Sequence, residues 1–190
     1  MPTILRKAIR EVLMNDTRPK LYILVGPPAI GKSTWVSFNA PDAYVINRDE
    51  VVDQVREPHG LRYSEMFTPQ NLGRFRNEIE KIHREKMAGA VSSGKDIVVD
   101  MTNMGIKARR RAMAAIRGHE SEYEKVAVVF DHRGKEEMVW DSIERRAKKL
   151  GDKMVPYSVV ADMFKRFEMP TKAEGFDQII SADTSKAIGA

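Results

Sequence analysis

The nine residues Gly26 to Thr34 (GPPAIGKST) carry the strongest chemical signal in the chain. Gly26 and Gly31 are separated by four residues and are followed by Lys32 and Ser33, which is the spacing of a phosphate-binding loop. Glycines let backbone N–H groups turn inward around phosphate oxygens, so Gly26, Ala29, Ile30, Gly31, Lys32, Ser33 and Thr34 are the expected nucleotide contacts. The Lys32 ammonium can reach the β- and γ-phosphates of ATP, and the Ser33 hydroxyl can ligand Mg²⁺. The helix that follows directs its positive end at the same anion. The alternative is a strand–turn–helix that merely needs glycines. A chance match in a chain of this length is on the order of one in a hundred at ordinary glycine frequency.

A second group follows the next apolar run, at Ile46-Asn47-Arg48-Asp49. A carboxylate there can face the γ-phosphate and take the proton of an attacking hydroxyl. Asp49 can equally be the N-cap of a helix. Arg48 can hold an acceptor phosphate or pair with a carboxylate. Asp100 closes the run DIVVD and either holds Mg²⁺ or orients the nucleophile, or it caps the next turn. Thr102 and Asn103 read as turn formers or substrate contacts, and Asp131 reads as a cap. Arg145 and Arg146, before Gly151, suit a lid over a transferring phosphoryl group; cations near a helix C-terminus are the plainer explanation. His59, His83, His119 and His132 show no metal-ligand spacing, and His83 reads as a surface residue. Trp35 and Trp140 read as packing residues.

The elements that must position these groups alternate. Short apolar runs at Leu21–Val25, Ala43–Ile46, Asp96–Asp100, Lys125–Phe130 and Asp177–Ser181 read as strands. Helical patterns fall at Asp49–Arg56, Gln70–Val91, Ile106–Ile116, Lys135–Lys149 and Pro156–Phe167. Alternation of this kind predicts an α/β fold: a parallel five-stranded sheet flanked by helices, with ligands beyond the carboxyl ends of the strands. Residues 1–20 are expected to hold a leading amphipathic helix. Residues 21–182 are expected to form one P-loop kinase domain with a helical lid near 145–155, and 183–190 a frayed tail.

The 190 residues suffice for one domain with its own core. No apolar run approaches bilayer length. Charges at Arg6, Lys7, Arg10 and Glu11 argue against a secretory leader. There are no cysteines, which excludes disulfides, cysteine–zinc sites and a thiol nucleophile and fits a cytoplasmic protein. The net charge of +5 favours polyanionic partners. Basic residues cluster at Lys107-Arg109-Arg110-Arg111 and Arg145-Arg146-Lys148-Lys149. Those from Arg74 to Lys86 alternate with Glu78, Glu80 and Glu85 and read mainly as a solvated helix face.

Taken together, GPPAIGKSTW (Gly26–Trp35), INRD (Ile46–Asp49), VVDMTN (Val98–Asn103), the arginine-rich helix before Val155-Pro156, and RFEMPTKAEGFDQI (Arg166–Ile179) resemble the 5′-hydroxyl polynucleotide kinases. The resemblance covers roughly Leu21 to Ile180. It implies a Mg²⁺- and ATP-dependent kinase of a DNA or RNA 5′-hydroxyl, in the host cytoplasm if phage-encoded. In that scheme Lys32 and Ser33 bind phosphates and magnesium, Asp49 is the general base, and a lid arginine, here Arg146, clamps the phosphates. Two positions depart from the pattern. Val52 stands where the phage enzyme has an acceptor-binding arginine, leaving Arg48 or Arg56 to substitute. Leu150 stands at the lid arginine nearest the glycine. No DxDxT-type phosphatase segment occurs. Phage kinases of hydroxymethyluracil within DNA, small-metabolite or toxin-like kinases, and a non-kinase nucleotide switch are the alternative readings.

Overall fold

The computed structural model describes residues 18–150 and 155–182, with the side chain of Leu150 left aside. The expected N-terminal helix, most of the lid turn and the tail therefore lie outside the described residues. Five strands form one parallel sheet: β1 (Lys20–Val25), β2 (Tyr44–Asn47), β3 (Ile97–Asp100), β4 (Glu124–Val129) and β5 (Gln178–Ser181). Their order is β2-β3-β1-β4-β5. The chain leaves β1 towards β2 and β3 on one side and then crosses to β4 and β5 on the other. That reversal puts a crevice at the carboxyl end of β1, where α/β sheets bind ligands.

The central strand shows why its run is apolar throughout. In β1 the side chains of Leu21, Ile23 and Val25 enter one core and Leu24 enters the other, because successive residues face opposite sides of a sheet. The first core is completed by Ala90 of α3 (Pro69–Ser92), Ala112 of α4 (Ile106–Met113) and Ile116. The second is completed by Val36 of α1 (Lys32–Asn39), Val139 and Ile143 of α5 (Glu136–Leu150), and Val160 of α6 (Tyr157–Lys165). Burial on both faces favours continuous β-branched runs such as IVVD in β3.

A third, smaller core lies away from the sheet. Val51, Val52 and Val55 of α2 (Arg48–Arg56) pack with Met66, Phe75 and Ile79. It holds the segment between α2 and α3, including the 3₁₀ helix Tyr63–Phe67, against those two helices.

Arg109 departs from what its basic run suggests, for it is fully buried. Its Nε and Nη2 donate to Glu174 at 2.7 and 2.9 Å, a bidentate pair. Its Nη1 donates to the carbonyls of Asn103, Met104 and Glu168. The RFEMPTKAEGF segment is thereby clasped to the turn after β3. Arg110 and Arg111, its neighbours in sequence, remain exposed.

Candidate active site

The phosphate loop begins where β1 ends. A Cβ on Gly26 would lie 2.8 Å from Cβ of Phe130 and 3.0 Å from its carbonyl oxygen, so only glycine lets the loop pass β4 this closely. The Gly26 N–H donates to the carbonyl of Thr102 at 2.9 Å, tying the loop to the turn after β3. Gly31 caps α1 at φ 87°, a left-handed conformation that glycine adopts without strain. No side chain caps this helix and no acidic residue sits in its first turn, so its N–H groups suit an anion. Ile30 is buried in the second core, which leaves its backbone alone for a phosphate.

Lys32 is 8% exposed and lies along the loop, donating to the carbonyls of Gly26 at 3.2 Å and Pro27 at 2.5 Å. Burial pushes its pKa down to about 8, against the attraction of Asp100 and Asp49. Ser33 Oγ donates to Asp100 Oδ2 at 3.0 Å, which brings the loop hydroxyl and the β3 carboxylate into one oxygen pair. Burial raises the Asp100 pKa, opposed by Lys32 and Ser33. A hard cation that keeps waters and phosphate oxygens needs only one or two such protein ligands. The donor set fits Mg²⁺. No cluster of three or more acidic, histidine or cysteine ligands occurs among the described residues.

Asp49 is not the cap of its helix. Asn47 is: its Oδ1 accepts from the Asp49 N–H at 2.8 Å, as N-cap side chains do. The Asp49 carboxylate is left to face the cleft that Lys32, Ser33, Asp100 and Arg48 also line. Its Oδ1 accepts a hydrogen bond from the Tyr63 hydroxyl at 2.7 Å. Val52 is 3% exposed in the third core. Arg56 donates to Asp53 at 2.6 Å and to the Leu61 carbonyl. Of the two proposed replacements for an acceptor-binding arginine, the structure brings Arg48 to the cleft and keeps Arg56 at the far end of α2, bonded to Asp53 and to the loop that follows.

The cleft has a volume of about 1190 Å³ and seven arginines contribute to its wall. Arg76 and Arg84 of α3, Arg110 and Arg111 of α4, Arg117 and Arg48 line it. All are solvent-exposed, and none is in an ion pair with another described residue. The sequence pattern made the α3 charges a solvated face. Most are solvent-exposed in the structure, and Arg76, Glu80, His83, Arg84 and Met87, at spacings of three and four, also line one wall of the cleft. His83 belongs to that wall and not to the outer surface. Burial first, and then nearby Arg48, lower its pKa.

The lid arginines separate. Arg146 lines the cleft. Arg145 turns back on its own helix, donating to the Asp141 carbonyl and Ser142 Oγ, and does not line it. Asn103 is 3% exposed at φ 44° and its amide donates to the Leu24 carbonyl at 2.9 Å. That bond holds the turn after β3, and Asn103 also lines the cleft. Thr102 lines the cleft as well as accepting from Gly26. Asp131 accepts from the Arg133 N–H and guanidinium, as a turn former does. Tyr63 and the α3 arginines are the members of the site that sequence reasoning passed over.

A parallel five-stranded sheet, a glycine loop entering a helix, and a serine in the first turn of that helix paired with the aspartate that ends β3 define a P-loop kinase-like domain. The chain belongs to a family described as an AAA domain (AAA_33), whose profile matches residues 21–170. Among solved structures it is similar to a kinase-like protein of Chloroflexus aurantiacus J-10-fl, with a TM-score of 0.60, 12% identity, and 92% and 90% of the two chains covered. It is also similar to a protein of the PezAT chromosomal toxin–antitoxin system of Streptococcus pneumoniae, with a TM-score of 0.58, 14% identity, and 96% and 77% covered. A fungal RNA kinase gives a TM-score of 0.49 at 16% identity, covering 90% and 77%. At these identities the first two likenesses show the fold. None of the curated proteins matches. Among the described residues no helix is long and apolar enough to cross a membrane.

Proposed function

We propose that this protein is a kinase that transfers the γ-phosphate of ATP to a hydroxyl of a nucleic acid, the 5′-hydroxyl of DNA or RNA in the first instance. The arginine wall on the acceptor side of the cleft carries the reading. A small neutral metabolite would not require so many cations without protein counter-ions, whereas a strand offers one phosphate per nucleotide. The absence of cysteine and the use of ATP fit a cytoplasmic enzyme.

In this reading the nucleotide phosphates lie on the loop from Gly26 to Thr34. Ser33 and Asp100 would hold Mg²⁺, which supplies charge neutralisation on the phosphoryl oxygens when bound. Asp49 accepts the proton of the attacking hydroxyl as its oxygen bonds to the γ-phosphorus and the bond to the ADP oxygen breaks. Lys32 exchanges its two loop carbonyls for phosphate oxygens. Arg146 offers a planar fork to the charge that spreads in the transition state. Arg48 grips an acceptor phosphate from the other side. Asp49 argues against a pure nucleotide switch, because a carboxylate beside an open acceptor cleft serves proton abstraction.

The test is labelled ATP with a panel of 5′-hydroxyl DNA, 5′-hydroxyl RNA, hydroxymethyluracil DNA and nucleosides. Transfer to 5′-hydroxyl strands, with acceptor KM rising steeply with salt, is expected. Transfer to nucleosides alone, insensitive to salt, would make this a metabolite kinase. Transfer to the modified base alone would move the acceptor inside the strand.

A further inference from the structure

Tyr63 begins the 3₁₀ helix Tyr63–Phe67, and both ends of this helix are fixed. Met66, 1% exposed, anchors it in the third core. Glu65 accepts from the Arg62 N–H at 2.7 Å, and Thr68 Oγ1 donates to the Glu65 carbonyl at 3.0 Å. The Tyr63 ring lies against Phe67 with 5.0 Å between centroids. From this mounting its hydroxyl reaches Asp49 Oδ1 at 2.7 Å, a length typical of a charge-assisted bond to a carboxylate. No described donor reaches the other oxygen, Oδ2. Tyr63 itself does not line the cleft, although Asp49 does.

We propose that Tyr63 is a positioning residue for the proton-accepting carboxylate: its hydroxyl holds Oδ1 of Asp49 so that Oδ2 meets the acceptor hydroxyl. The proposal rests on the reading of Asp49 as the base. The torsion that turns an aspartate carboxylate is broad and soft, so an untethered group samples many orientations. Productive proton transfer needs one of them, within hydrogen-bond reach of the acceptor. A single donor on the far oxygen restricts that torsion without occupying the reacting atom. The donor is also permanent. Burial first, and then the bond to Asp49, push the Tyr63 pKa above its ordinary value, so the phenol keeps its proton through the working pH range. Because Tyr63 stands outside the cleft lining, it acts through Asp49 and not on the acceptor.

The experiment is a double-mutant cycle in single-turnover and steady-state transfer assays, with Tyr63→Phe, Asp49→Asn and the pair. Phenylalanine keeps the ring against Phe67 and removes only the hydroxyl. Tyr63→Phe is expected to lower kcat about tenfold or more, leave the ATP KM within twofold, and change the residual rate by less than twofold in the Asp49→Asn background. An equal loss in both backgrounds, or a loss that tracks a lowered melting temperature, would show that the tyrosine serves only the fold and overturn the proposal. An inactive Asp49→Asn beside a fully active Tyr63→Phe overturns the positioning role alone. Full activity in Asp49→Asn overturns the base reading and the positioning role with it.

Discussion

Lys32 is held in a state that costs the fold stability, and Lys32→Met makes that measurable. The buried ammonium has its pKa pushed down to about 8 from 10.5. That difference corresponds to about 3 kcal/mol disfavouring the charged form in the folded, nucleotide-free protein. Two loop carbonyls, of Gly26 and Pro27, partly compensate, and losing their donor costs about 1 kcal/mol each. Methionine fills similar space without the charge. At pH 7 the variant should therefore melt level with the parent or up to about 4 °C above it. The sign of the pH dependence follows from proton counts. Between pH 8 and 10.5 the unfolded lysine keeps a proton that the folded one has shed, so the parent gains stability as pH rises through that window. The gap between variant and parent should close from pH 7 to pH 10, and the difference isolates Lys32 from the other lysines. Turnover should fall about a thousandfold, roughly 4 kcal/mol of lost transition-state stabilisation. Scanning calorimetry at several pH values and a transfer assay check both halves. A variant melting well below the parent at pH 7, or a gap indifferent to pH, would refute the reasoning.

Three other outcomes are expected. Arg146→Ala should slow turnover at least tenfold on every acceptor and Arg146→Lys should not rescue it, whereas Arg145→Ala should be nearly silent because that guanidinium is spent on its own helix; steady-state kinetics on the three variants decide. Glu174→Gln should destabilise the fold by about 3 kcal/mol or more in denaturant titration, since it leaves the fully buried Arg109 charge uncompensated. Arg76→Gln combined with Arg84→Gln should leave the ATP KM unchanged and flatten the logarithmic salt dependence of strand binding by about 1.4, which anisotropy at a series of salt concentrations reads directly.

The phosphate loop was legible because its chemistry demands a contiguous pattern: glycines, then lysine, then a hydroxyl, between an apolar run and a helix. The strands were legible because a sheet buried on both faces demands unbroken β-branched runs. Strand ends shifted by a residue, as at β1 and β2, since the sequence carries no mark of where pairing stops. Asp49 was legible as a position, with base and cap both open from spacing alone. The cap reading fell to the side chain of Asn47, two residues earlier, which takes the capping bond itself. Tyr63 was not legible, because a separate small core brings it to Asp49 and no local pattern encodes that contact. The α3 arginines are solvated as their alternation with glutamates suggests, but packing alone decides that the stripe faces the cleft. Arg109 resembled its exposed neighbours, and its partner Glu174 lies 65 residues away.

Transfer of label from γ-labelled ATP to a short 5′-hydroxyl oligonucleotide, by the parent protein and by Asp49→Asn, tests the account most directly. The account predicts label at the 5′ end with the parent, and a loss of at least a hundredfold in turnover with the variant while ATP affinity stays within a few-fold. Asn47 and not Asp49 caps the helix, and asparagine matches aspartate in size, so the fold gives no reason for that loss. An Asp49→Asn protein that labels the strand at the parental rate, or a parent that labels no strand, would contradict it.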